Sequence, residues 1–168
     1  MGRRNYLVEG VSGIGKTSVC DELQRRGYQA IHGDRQLAYQ GDPATGTAVE
    51  GGAHDHHLWR VDKVKALVAD QDEAVTFFCG GSRNYLDFID LFDGVFVLEV
   101  DLNTLRRRLA QRAEDEFGGR PSERELIERL YESKEDTPDG IAIDATAPLA
   151  RVVDEILHVT ALNRGGLD

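Results

Sequence analysis

The feature that most restricts this chain is the run Gly10-Val11-Ser12-Gly13-Ile14-Gly15-Lys16-Thr17. It lies between an apolar stretch, Tyr6-Leu7-Val8, and the helical pattern KTSVCDELQRRG. The spacing G-x-x-x-x-G-K-[ST], after a strand and at the opening of a helix, belongs to a turn that must hold strong negative charge. Its glycines let the backbone turn so that successive N–H groups point into one concavity. The helix start adds a partial positive charge at the same place. Gly10, Ser12, Gly13, Ile14, Gly15 and Ser18 build the cradle. Lys16 reaches β- and γ-phosphates, and the Thr17 hydroxyl is suited to Mg²⁺. The expected ligand is a nucleoside triphosphate with magnesium, ATP or GTP.

Around this turn the apolar pattern alternates between short runs and longer periodic segments. YLVE, YQAIH, AVTFFC, GVFVLEV and GIAID are unbroken enough to be strands covered on both faces, which favours a parallel sheet. Between them, KTSVCDELQRRG carries Val19, Leu23 and Arg26 near one face and stops at Gly27. LWRVDKVKALVAD places Leu58, Val61, Val64, Leu67 and Val68 on one stripe. TLRRRLAQR, SERELIERLYESK and LARVVDEILHVTAL keep the same period, and Ser122 with Glu125 after Pro121 has the form of a capping box. The expectation is a doubly wound α/β domain spanning 1–168. Two segments fit no element: a glycine-rich stretch over 41–57 and a polar one over about 113–121. Loops of this length often cover a site.

A chain of 168 residues with 40% apolar and 30% charged residues is that of a globular protein. No apolar run reaches the roughly 20 residues of a membrane span. Tyr6-Leu7-Val8 is too short for a signal peptide's apolar region, so the expected location is the cytoplasm. The formal charge of −10 argues against broad nucleic-acid binding. Arg106, Arg107, Arg108, Arg112 and Arg120 nevertheless form a local basic zone. Cys20 and Cys79 have no metal or redox spacing and read as small buried hydrophobes.

The motifs D-x-x-G and N-K-x-D of a GTPase are absent. With its phosphate turn, HGDR after the second strand, CGGSRN after the third, DLNTLRRRLAQR after the fourth and IDATAPLARVVDEIL at the end, the chain resembles the adenylate-kinase-like P-loop kinases. These include nucleoside and nucleotide kinases, shikimate and gluconate kinases, and chloramphenicol phosphotransferases. The resemblance implies a P-loop NTPase fold with a five-stranded parallel sheet of order 2-3-1-4-5, helices on both faces and a short lid over about 113–121. It implies catalytic roles for Lys16, Asp34, Arg112 and Arg120. Asp34 would orient the acceptor hydroxyl and take its proton, although an Asp before RQLAY also suits a helix cap. Arg35 and Arg83 would bind an anionic part of the acceptor, while Gly80 and Gly81 would let it approach the backbone. Arg108 and Arg112 would meet the nucleotide, and Asp144, Ala145 and Thr146 would meet its base or form a plain turn. Cys79 stands where nucleotide kinases often carry Asp.

His54, Asp55, His56 and His57 lie in the 41–57 loop, where adjacent residues cannot all converge on one small cation. Trp59 follows, placed either to stack on an acceptor ring or to pack under the loop. The expected activity is ATP-dependent phosphoryl transfer to a small molecule, by a monomer or homodimer. A nucleoside or nucleotide is the first acceptor class. A non-nucleotide hydroxyl compound, such as a sugar acid or antibiotic, and a non-catalytic ATP-binding regulator are the alternatives.

Overall fold

The computed structural model describes residues 4–10, 14–50, 57–70, 73–113, 118–134 and 137–162, with Leu162 described for its backbone alone. The expectations for Ser12, Gly13, His54, Asp55, His56 and the middle of the lid lie outside the described residues.

The five apolar runs all become strands of one parallel sheet: β1 (Arg4–Glu9), β2 (Gln29–His32), β5 (Val75–Cys79), β6 (Gly94–Glu99) and β7 (Ile141–Asp144). Their spatial order is β2-β5-β1-β6-β7. Counting only the strands of this sheet, that is 2-3-1-4-5, the order expected. Unbroken apolar runs result because the central strands are covered on both faces. Tyr6, Val8, Phe77 and Phe96 join one core cluster, to which α1 (Lys16–Arg25), α4 (Leu102–Ala110), α5 (Pro121–Ser133) and α6 (Leu149–Leu162) contribute. Leu7, Ile31 and Phe78 join a second with Val64 of α3 (Val61–Ala69). Tyr6 packs between Phe77 and Phe96, with ring centroids 5.8 and 5.5 Å away.

Local signals set several boundaries. Gly27, at φ 92°, follows α1 as its stop signal required. Asp101 caps α4, its carboxylate accepting from the Thr104 amide at 2.7 Å. The cap of α5 lies two residues earlier than Ser122 and Glu125 indicated. Arg120 is the N-cap, Pro121 occupies the first turn, and Glu123 accepts from the Arg120 amide. Proline's fixed φ and missing N–H make that first turn its natural place.

The largest departure lies between α2 (Gly33–Gln36) and α3. Here β3 (Ala38–Gln40) and β4 (His57–Trp59) pair antiparallel outside the main sheet. The expected loop over 41–57 is therefore the connection of a hairpin, and its last residue is a strand residue. Leu58 and Trp59, expected on a helix, are in β4, so α3 starts only at Val61. Two short 3-10 turns, at Tyr85–Asp87 and Ile89–Leu91, were not legible in advance.

Candidate active site

The phosphate turn leaves β1 at Glu9 and enters α1 at Lys16. Gly10 has φ 155° and Gly15 has φ 113°, both in the region that favours glycine. A Cβ on Gly10 would come within 2.8 Å of Ile14 Cγ2 and 3.2 Å of the Leu98 carbonyl. Lys16 is half-buried and donates to the Gly10 carbonyl at 2.5 Å, while Thr17 and Ser18 are exposed at the helix start. Ile14, Gly15, Lys16, Thr17 and Ser18 line a cavity of about 500 Å³, together with Asp34, Arg108 and Arg112. Ala145, Ala147, Leu149 and Val152 complete it on the far side.

This donor set fits a magnesium nucleotide. The cations and the helix start lie at one end, and apolar side chains suited to a flat base lie at the other. Arg108 links the two: its guanidinium donates to the carbonyl of Ile14 at 2.8 Å and to that of Ala145 at 2.7 Å. Arg112 lines the same cavity. Arg106, by contrast, pairs with Glu128 on the outside at 2.9 Å. Arg120 is exposed at the α5 cap and does not line the cavity. Arg124, which the sequence did not single out, holds the turn ahead of α5 through the carbonyls of Gly118 and Gly119.

The three residues expected at the base separate. Ala145 lines the cavity, but Asp144 and Thr146 face a different depression, shared with Glu99, Asp101 and Glu155. Asp144 is engaged in its own turn, accepting from the amide and the hydroxyl of Thr146. These bonds hold its carboxyl below the usual range. Asp144 and Thr146 thus follow the plain-turn alternative.

Asp34 sits in the four-residue helix α2 and opens onto the same cavity. Its Oδ1 accepts from His57 Nε2 at 2.9 Å, Trp59 Nε1 at 3.2 Å and, more weakly, the Gly81 amide at 3.4 Å. Desolvation pushes this carboxyl up. The His57 hydrogen bond, the charge of Lys16 and the Trp59 indole outweigh it, so Asp34 lies below its ordinary value. Its side chain keeps 44% exposure, enough for a small molecule to reach it.

Two expectations here give way. Trp59 is 1% exposed and stacks on Phe88 with centroids 5.6 Å apart, so its ring belongs to the core and its N–H to Asp34. It is not an open face for an acceptor. Gly80 and Gly81 leave room for the protein's own groups. A Cβ on Gly80 would lie 2.8 Å from Trp59 and 2.9 Å from Asp34 Oδ1, and one on Gly81 would lie 2.2 Å from Glu9 Oε1. Gly33 is closed in the same way, by Trp59 at 2.2 Å.

Glu9 was passed over by sequence reasoning, and His57 was weighed there only as a member of its cluster. Glu9 is 4% exposed, accepts from the Gly10 amide at 3.1 Å and lies 4.0 Å from Lys16 Nζ. Its one signal was a carboxylate at the end of a parallel strand, the edge where α/β sites form. His57 carried no signal beyond its cluster, because only the hairpin register brings it to Asp34. Arg83 and Arg35 flank the same place, and the Arg83 amide donates to the His57 carbonyl at 2.9 Å. Cys79 is buried beside Cys20. That contact and its burial both push the Cys79 thiol up, so no carboxylate and no reactive thiolate stands there. Among the described residues, no group of three or more His, Cys, Asp or Glu is gathered to hold a metal.

The fold and the phosphate turn define a P-loop nucleotide-binding α/β protein of the adenylate-kinase-like type. Residues 7–137 match the AAA domain family AAA_18, and the chain belongs to it. No curated protein matches the sequence. Among solved structures, the fold is similar to a gluconokinase from Sinorhizobium meliloti 1021, with TM-score 0.61 and 23% identity over 99% of this chain and 96% of that one. It is also similar to a sugar kinase from Janibacter sp. HTCC2649, with TM-score 0.56 and 21% identity over 93% of each chain. A shikimate kinase from Aquifex aeolicus vf5 matches with TM-score 0.54 and 20% identity, over 96% of this chain and 99% of that one. Among the described residues, no helix is long and apolar enough to cross a membrane.

Proposed function

We propose that this protein is a small-molecule kinase, and that its acceptor is a hydroxyl of a non-nucleotide compound of the sugar-acid kind. The observation that carries this is Asp34: a carboxylate on the wall of the same cavity as Lys16 and Thr17, held through one oxygen and open to a ligand. Bound Mg·ATP would supply the phosphoryl group, with Thr17 as the hydroxyl on magnesium. Lys16 would bind the phosphates, and Arg112 would offset charge that grows on them in the transition state. As the acceptor oxygen bonds to phosphorus, the bond from phosphorus to the ADP oxygen breaks and ADP keeps that electron pair. The acceptor's proton passes to Asp34.

Two observations favour this acceptor class over a nucleoside. Trp59, placed by sequence either to stack on an acceptor ring or to pack under the loop, is inside the core. The proteins of similar fold named above are a gluconokinase, a sugar kinase and a shikimate kinase. Arg83 and Arg35 are the cations from which the carboxylate of a sugar acid would be recognised. The cytoplasm suits the reading, since both cysteines are free and buried.

The test is ADP release from Mg·ATP across panels of sugar acids, nucleosides, nucleotides and aminoglycosides. The expected result is turnover with one or more sugar acids and none with nucleosides. Turnover confined to nucleosides would return the acceptor to the other class. ATP binding without any turnover would favour a regulator.

A further inference from the structure

We infer that His57 is a positioning residue for Asp34, its Nε2–H gripping Oδ1 so that Oδ2 is presented to the acceptor hydroxyl. This rests on the proposed role of Asp34 as the base. A carboxylate oxygen only accepts, so the 2.9 Å contact requires Nε2 to be the donor. The imidazole is anchored at its root. Its strand pairs with β3 through Gln40 opposite His57, and its carbonyl holds the Arg83 amide. Two residues on, the Trp59 amide and carbonyl are both clasped by the Asn84 side chain, at 3.0 and 2.9 Å. The hairpin, the loop after β5 and the catalytic carboxylate are therefore tied at one point.

Among the described residues three groups donate to Oδ1, and of these His57 makes the shortest bond and carries the one ionisable ring. Trp59 is an uncharged indole in the core, and Gly81 offers a backbone amide. The His57 side chain keeps 29% exposure. Other titratable or charged groups surround Asp34. Lys16 of α1 draws it toward the ionised form, while Glu9 lies across Gly81 and Cys79 closes β5 behind it. Arg35 is its chain neighbour, and Arg83 lies on the loop after β5. Phosphates bound in the same cavity would engage Lys16 and push a nearby carboxylate toward protonation. His57 then remains as the donor committed to Asp34. Without it, the base would be less ionised and held only by the longer bonds from Trp59 and Gly81.

The test uses the full chain with His57→Phe, which keeps a ring and loses the donor, and His57→Gln, which restores an N–H. Two quantities are read: the titration midpoint of the Asp34 carboxyl, by carbon-13 NMR on nucleotide-free protein, and the pH profile of kcat. The expected result for His57→Phe is a midpoint raised by about one pH unit. The acid limb of kcat should move with it, and kcat should fall roughly ten- to a hundred-fold at unchanged KM for ATP. His57→Gln should recover part of both. A midpoint and kcat unmoved in both variants would overturn the inference. Should His57→Phe fail to fold, His57→Ala, which also lacks the donor, with a wild-type midpoint and wild-type kcat would overturn it equally. A wild-type protein that releases no ADP with any acceptor, yet shows the His57-dependent midpoint, would uphold the grip on Asp34 and remove the kinase reading instead.

Discussion

The two ends of the cavity are built on different plans. The nucleotide end is lined by one continuous segment, Ile14 to Val19, with Arg108 bridging it to Ala145. Around Asp34 the groups come from four places in the chain: the Asp34 carboxylate of α2, the His57 and Trp59 side chains of β4, the Gly81 amide after β5, and the Glu9 carboxylate at the end of β1. A backbone cradle needs only glycine at the right spacing and tolerates change around it. A side-chain cluster depends on every element that delivers a member, so single substitutions there should spread further.

The sharpest way to break this contrast is at its shared centre. Lys16→Ala should lower kcat by about 10³-fold or more while circular dichroism shows the fold intact, and full activity would remove the cradle from the chemistry. Asp34→Asn should cost roughly 10²–10⁴-fold in kcat but leave ATP affinity by calorimetry within a few-fold. If ATP binding collapsed as well, the two ends would not be separable. Arg108→Ala should raise KM for ATP about ten-fold with acceptor KM unchanged, which would mark it as belonging to the nucleotide end alone.

Gly81→Ala probes the crowded end, since the new methyl would meet the buried Glu9 carboxylate. A loss of about 1–3 kcal/mol in urea unfolding is expected, from crowding alone, because Gly81 does not have a positive φ. The smallest effect concerns pH. The folded-state value of Asp34 lies below the unfolded one, so its contribution to stability is complete above roughly pH 4. That contribution is lost as pH falls through the lowered value. Comparing urea midpoints of wild type and Asp34→Asn between pH 5 and pH 3 should show the two converging toward acid. Divergence toward acid would mean the carboxyl is not held down.

How far the sequence could be read follows the same division. The central strands of the main sheet were legible because covering both faces leaves an unbroken apolar run, as in VTFFC. The cradle was legible because its parts are contiguous. The hairpin was not. β3 and β4 are three residues each and lie outside the sheet, so they lack the long runs that identify strands, and Leu58 and Trp59 fitted the following helix's period. The glycines after β5 were visible, but not that Asp34, Trp59 and Glu9 would occupy the space they leave.

By itself, the order of residues determined the parallel sheet, its flanking helices and the anion-holding turn, because those depend on periodicity and on neighbours within a few positions. Which groups surround the Asp34 carboxylate was decided only in three dimensions. His57 is 23 residues from Asp34, and Gly81 is 47. No local pattern encodes a distance that strand pairing and core packing set.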